Sequence, residues 1–469
     1  MSNKYDYDAV IIGAGISGLV CGCYLAKAGM KVLIVEKNAK PGGYCTSFTR
    51  GGFHFDACVQ SLSSLRDDGN IRTALKELEI ESRLGFKRYD PSDIIVTPDL
   101  KIHLWNDLDK TIQEFQHYFP KEANRTNEFF SYLKNIEGIS FSALRSITFQ
   151  DLLDKYFTDN NLKSIFSFLL LSNSGLPANK ISAFAGAVVC KDFILDGGYY
   201  PDGSIQSFPD ILMERFIEYG GEILLPCRVQ RISVENNKAV GITLKKEKYL
   251  SSEFVISGCD ATQTFLSLLG PGSMDDETTS LLSKMTTSLS SFILYLGTDG
   301  RITDVPLDSL VLFLPHYDID ALYHLTANGP VDQIDWFTVR VSSGKKRVLM
   351  HVNVPFQSDV YWNENKKRLI DVFISKMETI IPELSSHILF KDAATPKTLQ
   401  KWTLNHRGAA FGWDWTPAQF ALKGLSQITS IRNLYLTGHW TTLAQGVSGV
   451  TYLGRRTAKF ILNRKDSLS

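Results

Sequence analysis

Three glycines, Gly13, Gly15 and Gly18, stand at the spacing G-x-G-x-x-G directly behind the apolar run Ala9-Val10-Ile11-Ile12, and a second apolar run ends on the acid Glu36. Each of these residues has a chemical use. Gly13 permits a tight turn, Gly15 lets a pyrophosphate lie on bare backbone, and Gly18 lets the following helix pack closely on the strand. That helix offers free N–H groups and the positive end of its dipole to the phosphates. Glu36 accepts hydrogen bonds from a ribose diol and would repel a 2′-phosphate. The group these residues recognise is an adenine dinucleotide. Ala14 and Ser17 inside the turn, Lys37 beside the acid, and Gly258 are expected contacts of the same group.

Other residues carry chemistry with less definite patterns. His54 and Asp56 flank Phe55, so they share a side of an extended segment. Either they face a cofactor or substrate and move a proton, or they buttress a turn. Trp402, Phe411, Trp413 and Trp415 crowd one stretch, with Trp413 and Trp415 alternating as on a strand. They line an apolar channel or they are core. His406, Arg407, Asp414 and Gln419 are the polar candidates around them. The seven cysteines (21, 23, 45, 58, 190, 227 and 259) form no CxxC. Cys21 and Cys23 face different sides of a helix, so no metal site is expected, and the thiols read as reduced, buried and cytoplasmic. No serine–histidine–aspartate order and no metal-ligand spacing stands out.

The elements that must hold these residues follow from the wider pattern. With 469 residues, two or three domains are expected. The 50 basic and 50 acidic residues cancel, and no basic run is present, which argues against nucleic acid as a partner. No apolar stretch approaches the ~20 residues that span a bilayer. Residues 70–190 carry helical periodicity, with Phe129, Tyr132, Leu133 and Ile136 at spacings of three and four. Residues 208–219 read as a helix stopped by Gly220-Gly221, followed by short strands with a hairpin turn at Asn236-Asn237. The expected division is a discontinuous nucleotide domain, 1–70, 195–285 and 425–469, and a substrate-binding insertion, 71–194 and 286–424.

Three more segments lengthen the cofactor. Gly42 and Gly43, followed by Tyr44 and Ser47 in PGGYCTSF, let a second stretch of backbone lie against an extended ligand. A simple NAD domain has no need of this, whereas FAD does. Val229 sits where a strand offers its backbone to adenine. The third segment runs from NLYLTGHW, with Gly438 and His439, to Gly446, Val447, Ser448, Gly449 and Val450, before a helix reaching about residue 462. Residues 446–450 wrap the far end of the cofactor or simply open the helix.

On these motifs, with GGYYPDGSIQSFPDIL, EYGGEILLPCRVQRI and GAAFGWDWTP between them, the chain resembles the flavin amine oxidase superfamily nearly end to end, and within it the phytoene desaturase, carotenoid isomerase and retinol saturase family. The resemblance implies an α/β fold: a Rossmann-type FAD-binding domain of the GR2/amine-oxidase kind, interrupted by a mixed α+β substrate domain. It implies that 446–450 wraps the flavin, with the helix N-terminus toward the N1/C2=O edge. It also marks a departure, because His439 stands where the family commonly has an aspartate on a ribitol hydroxyl. A neutral histidine keeps one such bond, and a cationic one would favour anionic reduced flavin.

The activity expected is FAD-dependent redox at C–C or C=C bonds of an apolar polyene or isoprenoid: desaturation, saturation or isomerisation. His439, His54 and Asp56 are the candidate catalytic residues, and Trp402, Phe411 and Trp413 the candidate substrate contacts. Two alternatives stand beside it, an amine or amino-acid oxidase with a lysine near the flavin, and a prenyl-lipid carrier without cofactor. No second G-x-G-x-x-G is present, so electrons are expected to pass to O2, a quinone or another external carrier. Peripheral contact with the inner face of a membrane is expected through an apolar patch at 141–171.

Overall fold

The computed structural model describes residues 5–136, 141–270, 272, 274–422, 425–441 and 445–466. Strand β1 (Tyr7–Ile12) is apolar at four consecutive positions because both its faces are covered, as the centre of a parallel sheet requires. It pairs in parallel with β2 (Val32–Val35) on one side and with Tyr249–Ser257 on the other. Glu222–Leu224 and Leu434–Leu436 extend the sheet, also in parallel. Val229–Glu235 and Lys238–Leu244 form an antiparallel meander on the first half of Tyr249–Ser257. Asn236 and Asn237 turn that hairpin at φ 49° and 55°, a conformation asparagine tolerates well.

Helix α1 (Ile16–Lys27) leaves the end of β1 and packs against the terminal helix Gly446–Asp466 and against Ser207–Glu218. The approach is close. A Cβ at Gly454 would sit 2.5 Å from the Ser17 carbonyl oxygen, and one at Gly18 would sit 2.2 Å from that of Gly13.

A second seven-stranded sheet runs in the order Ile388–Ala394, Ser290–Thr298, Arg347–Val354, Phe337–Val341, Leu310–Phe313, Asp93–Val96 and Lys101–Leu104. Only the pair Leu310–Phe313 and Asp93–Val96 is parallel. One face carries Phe292, Leu294, Met350 and Val352 into a core shared with the helix Asp359–Met377. The hairpin Ser47–Arg50/Phe53–Asp56 packs on the other face, where Phe55 meets Tyr295 and Phe390 at ring-centroid distances of 5.6 and 5.8 Å.

The helices between Leu108 and Cys190 gather around phenylalanines. Phe166 stacks on Phe115 at 5.3 Å and on Phe157 at 5.8 Å. This overturns the expected apolar membrane patch at 141–171. In Asn160–Ser174 every residue from Ile165 to Leu171 is buried, so the run SIFSFLLL is core of the insertion. The Phe141 side chain lies outside the described residues. Among those described, no helix is long and apolar enough to cross a membrane. Trp413 and Trp415 do not lie on a regular strand either. Their segment is irregular, with an isolated β-bridge from Trp413 to Thr287.

Candidate functional site

One cavity runs between the two sheets, from the end of β2 past the first glycine turn to the inner face of the second sheet. In the half against the first sheet, the glycine turns have open backbone geometry. Gly13 turns at φ +102° and donates its N–H to the Val35 carbonyl at 2.8 Å. A Cβ on Gly15 would meet nothing within 4 Å, so bare backbone faces the open cavity. Gly42, at φ +119°, donates to the Ala14 carbonyl at 2.8 Å, and Gly43 comes so near that its Cβ would lie 3.5 Å from the Gly15 Cα. Two glycine loops thus lie side by side and form a cradle.

Glu36 ends β2 and is almost fully buried. Its Oε2 accepts the Ala14 N–H at 2.9 Å and its Oε1 accepts the Asn38 N–H at 2.7 Å. These two bonds fix the carboxylate while each oxygen keeps a lone pair for a diol. Lys37, Val229 and Gly258 share that wall, with Gly258 donating to the Ile12 carbonyl at 2.9 Å.

At the far end of the cradle are Gly438 (φ +92°), His439, Gly446 (φ +68°), Val447, Ser448 and Val450. The N-terminus of Gly446–Asp466 opens onto the cavity here, and Ser448 Oγ accepts a bond from Asn70 Nδ2 at 3.3 Å. His439 sits beside Asn405, whose Nδ2 lies 3.4 Å from its Nε2, and its ring centroid is 6.2 Å from that of Tyr44. Burial pushes its pKa down to about 4, so the imidazole is neutral near pH 7 and the cationic role drops out. Tyr44 is anchored by donating to the Ala409 carbonyl at 2.9 Å.

Several expected residues stand elsewhere. His54 is exposed and pairs with Thr49 at 3.1 Å, away from the cavity. Asp56 accepts bonds from Ser47 Oγ at 2.7 Å, the Ile205 N–H at 3.2 Å and the Tyr200 hydroxyl at 2.7 Å. Ser47 and Asp56 therefore brace the hairpin behind the cradle, and neither they nor His54 reaches the wall. Ala14 and Gly18 also lie behind it, giving the turn its hydrogen bonds and its close packing. Trp413 is buried in the core, its Nε1 donating to the Trp440 carbonyl at 2.8 Å; Phe411 and Trp415 are on the wall instead. Trp402, 56% exposed, reaches the nucleotide end, where its carbonyl accepts from Asn38 Nδ2 at 3.0 Å. It does not meet the substrate half.

The substrate half contains residues that sequence reasoning missed: Gln60, Asp93, Asn173, Asp192, Ser291, Thr338 and His351. His351 lies 2.8 Å from Ser291 Oγ through Nε2, and burial takes its pKa down to about 4. The signal for it was present in RVLMHVNV. Val348, Met350, Val352 and Val354 fill the core, so His351 and Asn353 belong to the opposite face. Apolar wall comes from Val188, Val189, Phe193, Leu310, Phe411 and Trp415. The one lysine among the described wall residues is Lys37, at the nucleotide end.

The donor set fits an extended dinucleotide. Beyond the cradle at Gly15 and Gly446, where added Cβ atoms find open space, the buried side-chain oxygens of Gln263 and Gln445 on the wall lack a partner among the described residues. Such atoms are costly unless a ligand or water meets them. No group of three or more metal-ligating side chains occurs among the described residues.

These features define an α/β oxidoreductase of two sheets with its cavity between them. The chain belongs to the family described as flavin containing amine oxidoreductase, whose model matches residues 16–462, and it is a flavin-dependent enzyme. It is 23% identical to the all-trans-retinol 13,14-reductase of Danio rerio over 98% of this chain and 86% of that protein. It is 24% identical to prolycopene isomerase 2, chloroplastic, of an Oncidium hybrid cultivar, over 96% of this chain and 82% of that one. Among solved structures, an oxidoreductase from Methanosarcina mazei shares the fold at a TM-score of 0.69, with 17% identity, covering 96% of this chain and 99% of the other.

Proposed function

We propose that this enzyme binds FAD and changes the oxidation state or geometry of a C=C bond in an apolar conjugated isoprenoid. The observation that carries this reading is the cavity itself. A glycine cradle with a diol-binding acid runs on into a chamber walled by Val188, Val189, Phe193, Leu310, Phe411 and Trp415. An amine oxidase reading expects a lysine in that chamber, and the described wall residues supply none there. The names of the two relatives point the same way, since retinol and prolycopene are both conjugated polyenes.

FAD, when bound, supplies a site that takes up or gives a hydride. The chain's residues do the rest. Gly15, Gly42 and Gly43 clear backbone for the pyrophosphate, and Glu36 takes the ribose. The positive end of Gly446–Asp466 favours negative charge nearby. His439, neutral, offers a ring nitrogen to a hydroxyl. His351 handles the proton that accompanies hydride transfer: Ser291 holds its Nε2, and its Nδ1 makes no hydrogen bond among the described residues. The apolar wall excludes water from the reacting carbons. With a single dinucleotide fingerprint in the chain, electrons enter or leave through O2, a quinone or an external carrier.

The test is an anaerobic titration of the purified protein followed by visible absorbance. The oxidised protein should carry a flavin spectrum, and extraction should release FAD rather than FMN. Bleaching by a partly saturated isoprenoid marks a desaturase. Recolouring of the dithionite-reduced protein by a conjugated one marks a reductase. A flavin spectrum indifferent to every polyene but bleached by small amines would overturn the proposal.

A further inference from the structure

The chamber is not uniformly apolar. At one corner Gln60, Asp93 and Leu310 share the wall, and Asp93 and Arg340 both lie directly opposite Leu310 in the sheet register, which puts all three on one face. Their polar atoms are only partly used. Gln60 Oε1 is buried without a partner among the described residues. The Asp93 side chain accepts one hydrogen bond among the described residues, from the Ser92 hydroxyl at 2.6 Å. Behind them Arg340, 8% exposed, donates Nη1 to the Gln60 carbonyl and lies over the Tyr89 ring at 5.1 Å. Its Nε and Nη2 are buried without partners among the described residues.

A pure hydrocarbon in this chamber would seal off these groups and leave them unpaired, which disfavours its binding. A hydroxyl both donates and accepts, so it can give its proton to Gln60 Oε1 or Asp93 and take a bond in return. A carboxylate is the poorer match, because Asp93 would face it.

We infer that the substrate is an isoprenoid alcohol rather than a hydrocarbon, and that Gln60 and Asp93, backed by Arg340, form the corner that receives its hydroxyl. This rests on the polyene reading above and narrows it. A site built to hydrogen-bond a hydroxyl discriminates strongly against the analogue that lacks it.

The test uses the flavin-loaded enzyme and two ligands of one skeleton, all-trans-retinol and the hydrocarbon in which CH3 replaces its CH2OH. Dissociation constants are read from the ligand's own absorbance and fluorescence. The native enzyme should bind the alcohol at least tenfold more tightly than the hydrocarbon. Gln60→Leu and the isosteric Asp93→Asn should each shrink that ratio to about threefold or less by weakening the alcohol alone. Equal affinity in the native enzyme overturns the inference, as does a ratio unchanged in both variants that retain flavin. If flavin-loaded enzyme binds neither ligand, the polyene reading fails and this inference falls with it.

Discussion

Single positions in the cradle separate folding from binding. Gly15 has φ −68° and ψ 168°, a conformation valine adopts freely, and an added Cβ meets nothing within 4 Å. Gly15→Val should therefore keep the native circular dichroism and a thermal midpoint close to that of the flavin-free parent. Its side chain would occupy the pyrophosphate's place, so flavin content should fall to a few per cent or less by absorbance. A fully yellow variant would refute the cradle. Protonation gives a second handle. His351 and His439 have folded-state values of about 4, below the ordinary 6.5. The unfolded chain therefore takes up protons first as pH falls. Stability is complete above pH 6.5 and declines progressively toward pH 4. Urea midpoints at pH 7 and pH 5 should show a smaller loss in His351→Gln than in the native protein. An equal loss in both would mean that His351 is not held neutral by the fold.

Helix against helix, tolerance is small. The seam between α1 and Gly446–Asp466 depends on Gly454, whose Cβ would collide with the backbone oxygen of Ser17 at 2.5 Å. Gly454→Ala should cost about 1–3 kcal/mol through overpacking, seen as a lower urea midpoint. It should also loosen flavin, because both helices begin at the cavity. In the insertion, Phe166→Ala removes the ring that joins Phe115 and Phe157, with an expected loss of about 3–5 kcal/mol. Were SIFSFLLL an exposed membrane patch, that change would leave stability nearly untouched. The contrast shows how much the sequence makes legible. The βαβ fingerprint, the paired glycines and the Asn236-Asn237 hairpin were readable because each demands a local conformation. Buried and membrane-facing apolar runs share one composition, so only tertiary packing told them apart. His54 and Asp56 shared a side as alternation requires, but alternation does not say whether that side meets a cavity or another loop. His351 sat in a legible strand, yet its importance depends on Ser291, sixty residues away in the chain. Trp413 and Trp415, expected to share one side of a strand, part to core and wall because their segment lacks the regular pleat that the pattern suggested.

Across the whole molecule, the cavity is shared property. Gly15, Glu36 and Gly42 close it from the first sheet, while Ser291, Thr338 and His351 close it from the second. A ligand that touches both walls stabilises both, by about 2.7 kcal/mol at a hundred times its Kd. Removing flavin and then restoring it should therefore change amide exchange on the two sides together. Protection should rise in β1 and β2, and also in Ser290–Thr298, Phe337–Val341 and Arg347–Val354, where the chamber is walled by strand residues. The outlying strands Lys101–Leu104 and Ile388–Ala394, which contribute nothing to the wall, should change least. Protection confined to β1 and β2 would mean that the cofactor belongs to the nucleotide half alone. The second sheet would then be a passive cover, and His351 would stand too far from the reacting carbons to move their proton. Protection on both sides would instead make flavin the element that fixes the spacing between the sheets, and with it the width of the channel open to substrate.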